Sequence, residues 1–209
     1  MIKLDNRLKA ILKEIDNVEV VADIGCDHGK LIVSAILSQK AKKGIAVDIS
    51  NESLKKAQIL ASEYDVIDKL IFLNGDGFLP IKDNIDIAVI SGMGAREIVK
   101  ILAQKDIANK YILVPHQDTY ILRQYLRENS FFVIKDYIVK EQKFYPVIVA
   151  EKGNNNYTDR EIYLGKNLPS TPVYNEWKNL RFKTIKKIIE KAGINAISND
   201  LKKEWEELN

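Results

Sequence analysis

Short apolar runs recur along most of the chain, each cut off by an acid, a glycine or a proline and separated from the next by a different kind of pattern. VEVVADI (18–24), GIAVDI (44–49), KLIFLNGDG (69–77), IDIAVISGMG (85–94) and KYILVP (110–115) are rich in Val and Ile, with little polar alternation. Runs of this kind read as strands buried on both faces, which is the mark of a parallel sheet. Between them lie stretches with apolar residues at helical spacing, as in residues 29–40, SNESLKKAQILASEY, AREIVKILAQ and TYILRQYLREN. FFVIKDYIVKE (131–141) and KFYPVIVAEK (143–152) then follow one another with no helical stretch between them, predicting an antiparallel edge. Right-handed crossovers turn this order into a doubly wound, Rossmann-like α/β domain with a mostly parallel seven-stranded sheet.

A helix over 4–15, with Leu4, Leu8, Ile11, Leu12 and Ile15 on one face, precedes the first strand. Residues 153–173 are polar and turn-rich. Beyond them two amphipathic patterns, about 174–192 and 196–208, meet at Gly193 and predict an antiparallel, coiled-coil-like helical hairpin. The expected division is therefore a ligand-binding domain over 1–152 and a linker with helical hairpin over 153–209. Trp177, Leu180, Ile185, Ile188 and Ile189 mark the apolar stripe of the first hairpin helix, and Ile197, Leu201, Trp205 and Leu208 that of the second.

A net charge of +3 permits nucleic-acid binding without arguing for it. Cys26 is the single cysteine, so an intrachain disulfide is excluded and no metal site is expected. The start reads as a helix rather than a signal peptide, and no apolar run approaches the roughly 20 residues that cross a bilayer. The expectation is a cytoplasmic monomer without membrane contact.

In a doubly wound sheet the ligand lies beyond the carboxyl ends of the strands. Here those ends carry Asp23 to His28, Asp48 with Ile49, Asp76 with Gly77, and Ser91 to Gly94. Asp48 follows Gly25 by 23 residues, close to the spacing of an acid that binds a ribose diol. NAD and S-adenosylmethionine both carry that ribose, so the first loop has to separate them. It reads Gly25-Cys26-Asp27-His28-Gly29, which is G-x-x-x-G rather than the G-x-G-x-x-G of a pyrophosphate loop. A carboxylate at Asp27 would repel two phosphates, whereas S-adenosylmethionine has no phosphate and bears a sulfonium cation. A methyltransferase loop fits better.

VADIGCDHGKL, NGDGF, ISGMGAREIVKIL, LVPHQDTYILRQYL and KFYPVIVAEKG, in this order, resemble the bacterial tRNA (adenine-22-N1)-methyltransferase family, and the resemblance extends from Arg7–Leu8 to the helical tail. It implies a class I methyltransferase fold, S-adenosyl-L-methionine as donor, tRNA as partner, and a C-terminal hairpin that helps hold the tRNA. Three positions depart from the family pattern: Cys26 replaces a small residue, Ala95 replaces a second glycine after GMG, and His116 follows Pro115 where Asn is usual. Arg123 keeps its place in the following helix.

Within this reading Asp27 is the candidate catalytic residue, orienting adenine through N6 and stabilising the charge that alkylation of N1 creates. The alternative for Asp27 is a helix N-cap. The donor is assigned Asp23, Gly25, Asp48, Ile49, Asp76, Gly77, Ser91, Gly92 and Met93. Substrate contacts are assigned to His28, Gly94, His116, Arg123, Tyr145, Lys183 and Lys187. The two lysines belong to a helix in which Lys178, Arg181, Lys183, Lys186, Lys187 and Lys191 face only Glu176 and Glu190, a basic surface suited to phosphates. A small-molecule or protein methyltransferase of the same fold, and a non-catalytic RNA-binding protein, remain open alternatives.

Overall fold

The computed structural model describes residues 2–154, 156–166 and 171–209; position 155 and the segment 167–170, with its proline, lie outside the described residues. Helix α1 (Asn6–Glu14) starts at Asp5, whose side chain accepts from the Leu8 N–H at 2.7 Å, and it buries Ile11 completely. The strands are β1 (Val18–Ile24), β2 (Ala41–Asp48), β3 (Leu70–Asn74), β4 (Ile85–Met93), β5 (Ala108–Pro115), β6 (Phe131–Lys140) and β7 (Phe144–Lys152). They form one seven-stranded sheet in the order β3-β2-β1-β4-β5-β7-β6. The first five are parallel, and β7 pairs antiparallel with both β5 and β6.

Helices α2 (Lys30–Leu37), α3 (Asn51–Glu63), α4 (Ala95–Leu102) and α5 (Thr119–Glu128) cover the two faces. Alternate residues of each central strand serve opposite layers. Val21, Ala46 and Val89 pack with α1, α2 and α3, while Ala22, Ile24 and Ile90 pack with α4 and α5. The expected alternation of strand and helix breaks once. Residues 75–84 lead from β3 to β4 without a helix, and the buried side chains of Phe78 and Ile81 take a helix's place under the sheet. Gln104 accepts from the Phe78 N–H at 2.7 Å, and Lys105 donates to the carbonyls of Leu79 and Ile81.

The stretch after β7 is less loop-like than its composition predicts. Helix α6 (Asp159–Leu164) is nucleated by a capping box between Thr158 and Glu161, and Tyr157 and Ile162 enter the main core. Helices α7 (Pro172–Ala192) and α8 (Asn199–Leu208) follow. Their contact is built from Ile185, Leu208, Trp177, Ile189 and a stacked Phe182–Trp205 pair at 4.9 Å, with Leu164 of α6. Arg181 closes it with two bonds to Glu204, at 2.5 and 2.7 Å. Leu180 and Ile188, expected in the apolar stripe, are instead 54% and 37% exposed, because the contact is made on the face that carries Phe182, Ile185 and Ile189, and these two point away from it. No described helix is long and apolar enough to cross a membrane.

Arg123 is where the structure corrects the sequence reading most clearly. It is 1% exposed and so cannot reach a phosphate. Its Nε and Nη2 donate to Asp136 at 2.8 and 3.1 Å, and its Nη1 to the carbonyls of Ile162 and Tyr163. Asp136, itself fully buried, also accepts from the Tyr157 hydroxyl at 2.8 Å and the Lys166 N–H at 3.2 Å. The proximity of Asp136 raises the Arg123 pKa despite its burial. This ion pair bolts α6 to α5 and β6. Removing one charge leaves the other buried and unpaired, so Arg123→Met should cost about 3–5 kcal/mol in urea unfolding, with Arg123→Met/Asp136→Leu recovering part of it. An unchanged unfolding midpoint in the single variant would show that the pair does not hold the junction.

Candidate active site

The chain builds β1, β2 and β3 outward on one side and then passes to β4 on the other side of β1. The crevice this opens at the carboxyl ends of β1 and β4 is the place where a doubly wound sheet receives a ligand. A cavity of about 620 Å³ occupies it. Of the predicted donor residues, Asp23, Gly25, Asp48, Ile49, Ser91, Gly92 and Met93 line it, together with Asp27, His28 and His116.

The loop after β1 is shaped by close approach. Gly25 has φ +75°, and a Cβ there would lie 2.8 Å from the Met93 methyl. Gly29, at φ +69°, lies so close to α3 that a Cβ would fall 2.7 Å from that of Ala57. Both positions need glycine. The N–H groups of Gly25 and Cys26 donate to the Val47 carbonyl at 2.8 and 3.0 Å, tying the loop to β2. The Asp48 carboxylate completes the tie, accepting from the N–H groups of Asp27 at 3.0 Å and Ser50 at 2.9 Å. Each carboxylate oxygen keeps a second lone pair for a ribose hydroxyl.

Asp27 does not cap α2. The N-cap residue is Gly29, with no side-chain bond to the helix, and Asp27 sits at φ +49° with its carboxylate 76% exposed. The His28 Nε2 lies 3.4 Å from its Oδ1. The capping alternative is thereby removed, and the carboxylate is left at the cavity mouth.

Asp23 is different. It is 4% exposed, and among the described residues no hydrogen bond or ion pair reaches its side chain. Burial raises its pKa to about 7; the charge of Arg7 opposes that rise, and those of Asp48 and Asp27 add to it. An unpartnered carboxylate in such a place is complementary to a ligand cation.

Some predicted residues fall outside the cavity lining. Asp76 and Gly77 form the turn after β3, where a Cβ on Gly77 would meet Gln104 Oε1 at 2.5 Å. Gly94 is the N-cap of α4. Tyr145 backs the wall, its ring edge-on to His116 at 5.7 Å. Lys183 and Lys187 are exposed on α7, away from the cavity, and Arg123 is the structural ion pair described above. Conversely, α1 contributes Asp5, Arg7 and Leu8, and Lys30 enters from α2. Nothing local to α1 marks these as site residues, since they are brought over the strand ends only by tertiary packing.

An open sheet of this order, with an acid-lined cavity at its switch point and no phosphate loop, defines a Rossmann-like methyltransferase. Residues 4–148 match the model of the methyltransferase domain family. The chain is 32% identical over 187 residues to the tRNA (adenine(22)-N(1))-methyltransferase of Bacillus subtilis (strain 168), covering 87% of this chain and 79% of that one. It is also similar to the crystal structure of the B. subtilis m1A22 tRNA methyltransferase TrmK, with a TM-score of 0.84, 28% identity, and 100% and 95% of the two chains covered. The fold of M. capricolum TrmK, solved with the cofactor product S-adenosyl-homocysteine, superposes with a TM-score of 0.86 at 21% identity, covering 98% and 97%. The chain belongs to the tRNA (adenine(22)-N(1))-methyltransferase family.

Replacing Asp23 tests the site. Its folded pKa lies above the ordinary 3.8, so the stability it contributes is full below that value and lost as the pH rises toward 7. Asp23→Asn should therefore melt higher than the unmodified protein at pH 8, with the difference shrinking toward pH 4. The same change should weaken binding of S-adenosylhomocysteine. In the unmodified protein that affinity should fall as the pH drops from 8 to 6, because the ligand's ammonium favours the ionised carboxylate. A variant that melts lower at pH 8 and binds normally would contradict the assignment.

Proposed function

We propose that this protein transfers the methyl group of S-adenosylmethionine to N1 of adenine 22 in tRNA. The observation that carries this reading is the acid-lined cavity at the β1/β4 switch point, in a chain of this family. The donor brings a sulfonium and an ammonium, and Asp23 and Asp48 supply the negative field that accommodates them. The ring nitrogen already has an in-plane lone pair, so it needs no strong base. The N1 lone pair attacks the methyl carbon in line, the carbon–sulfur bond breaks, and its electron pair stays on sulfur as the thioether leaves. The adenine becomes cationic and its N6–H more acidic. Asp27, exposed at the mouth, orients the base through N6 and stabilises that charge.

His28 and His116 line the same opening, with the Tyr145 ring edge-on behind His116, and form the acceptor side, where the His116 backbone N–H donates to the Met93 carbonyl. N1 lies on the pairing edge, so the target base must leave its stack to enter. Residues 1–152 act as the donor-binding unit and 153–209 as the extension that meets tRNA. On α7, Lys183 and Lys187 are exposed and, among the described residues, carry no ion pair, which suits them to backbone phosphates. A tRNA substrate supports a cytoplasmic location.

One primer-extension series tests this, using unmodified tRNA with S-adenosylmethionine. The full protein should give a stop at adenine 22. Asp27→Ala should bind donor normally and lose about 10²–10⁴-fold in rate, the range for a positioned acid–base group. Lys183→Glu/Lys187→Glu should raise the tRNA KM, with a shallower salt dependence. No stop at adenine 22 sinks the function, and full activity in Asp27→Ala removes that residue from the chemistry.

A further inference from the structure

His116 offers the cavity a hydrogen-bond donor, and its neighbours fix which ring nitrogen carries the proton. The residue follows β5 and lines the opening. Its backbone is held on both sides: its own N–H donates to the Met93 carbonyl at 3.0 Å, and the Gln117 carbonyl accepts from the Ala95 N–H at 3.3 Å. The ring is held as well, edge-on to Tyr145 at 5.7 Å and with Nε2 at 3.5 Å from Arg7 Nη1. A guanidinium has donors and no acceptor, so in that contact Nε2 accepts and the proton of the neutral ring sits on Nδ1. Burial lowers the His116 pKa, and the charges of Arg7 and Lys143 lower it further, so the ring is neutral at pH 7. Among the described residues nothing bonds Nδ1. The N–H of a ring fixed on the cavity wall is thus left for a ligand.

A target adenine has ring acceptors at N1, N3 and N7, and N1 must keep its lone pair for the methyl group. We propose that His116 donates Nδ1–H to N3 of the target adenine, holding the base from the end opposite Asp27 and leaving N1 turned toward the methyl group. This rests on the function and on the role of Asp27 proposed above.

The choice of N3 follows from where the two side chains stand. Asp27 leaves the end of β1 and His116 the end of β5, with β4 between them. Two strand spacings amount to about 10 Å. In adenine the N6 amino group and N3 lie at opposite ends of the six-membered ring, about 4 Å apart, and a hydrogen bond of about 3 Å at each end brings the span to about 10 Å. N7 lies beside N6 on one edge, so a group that bonds it must come from the side of Asp27. The same clamp selects the base. Guanine would set its O6 against the Asp27 carboxylate, two acceptors face to face. Cytosine, held by its amino group, would have its ribose where His116 requires an acceptor.

Two synthetic tRNAs test this on the full chain, one with 3-deazaadenosine at position 22 and one with 7-deazaadenosine, each compared with the adenosine form by kcat/KM for methylation. Replacing N3 also changes the basicity of N1, but that change is common to every variant and cancels between them. The preference for adenosine over 3-deazaadenosine should be about ten-fold larger in the unmodified protein than in His116→Leu, the value of one hydrogen bond whose donor is otherwise left unpaired. His116→Asn places an amide N–H where Nδ1 stands and should keep the preference. His116→Gln places it where Nε2 stands and should lose it. The response to 7-deazaadenosine should be the same in all four proteins. An equal preference in the unmodified protein and His116→Leu would reduce His116 to packing or a phosphate contact and overturn the proposal. A preference that follows N7 instead of N3 would overturn it too. If the unmodified protein leaves adenosine 22 unmethylated, the function itself fails and the clamp falls with it.

Discussion

A carboxylate buried at the end of the central strand, with no partner of its own, is the constraint from which the site follows. Asp23 sits where the sheet reverses its order, and the fold surrounds it with Asp27, Asp48 and the cavity rather than with a cation in contact. Burial of an uncompensated acid opposes folding. The arrangement makes physical sense when a cationic ligand completes it, and the methyl donor of this family has the charge required. The same field excludes the pyrophosphate that glycine-rich loops of related sheets bind.

The surrounding elements hold that field in shape. Glycine at 25 and 29 lets the loop lie against Met93 and α3, and Asp48 fastens it through the Asp27 N–H. On the other side of the sheet, the buried Arg123–Asp136 pair fixes α6 against α5 and β6. Through α6, α7 and α8 are given a set direction relative to the sheet, with Tyr163 reaching Asp200 and Lys140 of β6 reaching Glu176. A tail fixed in this way can present the basic surface of α7 at a constant distance from the cavity.

Much of this was legible in the residues, for identifiable reasons. Parallel strands announce themselves as unbroken Val/Ile runs, and in this fold class ligand residues cluster at their ends, so Asp23, Gly25, Asp48 and Ser91 could be found locally. Arg7 could not, because it belongs to the site only through the packing of α1 across β6 and β7. Arg123 misled because a charged residue on an amphipathic helix reads as surface; nothing nearby announces Asp136 as its buried partner. Helix α6 carried a usable sign, Thr158 followed three residues later by Glu161, that the polar composition around it obscured. The exposure of Leu180 and Ile188 reflects which face of α7 meets α8, the one that carries Phe182, Ile185 and Ile189, a choice that apolar spacing on a single helix cannot report.

The central claim is that this crevice is charged for a sulfonium donor and against a pyrophosphate. Parallel calorimetric titrations of the full chain with S-adenosylhomocysteine and with NAD measure it directly. The account predicts one-site binding of S-adenosylhomocysteine and no measurable heat with NAD at the same concentrations. NAD binding that matches S-adenosylhomocysteine and competes with it would contradict the account.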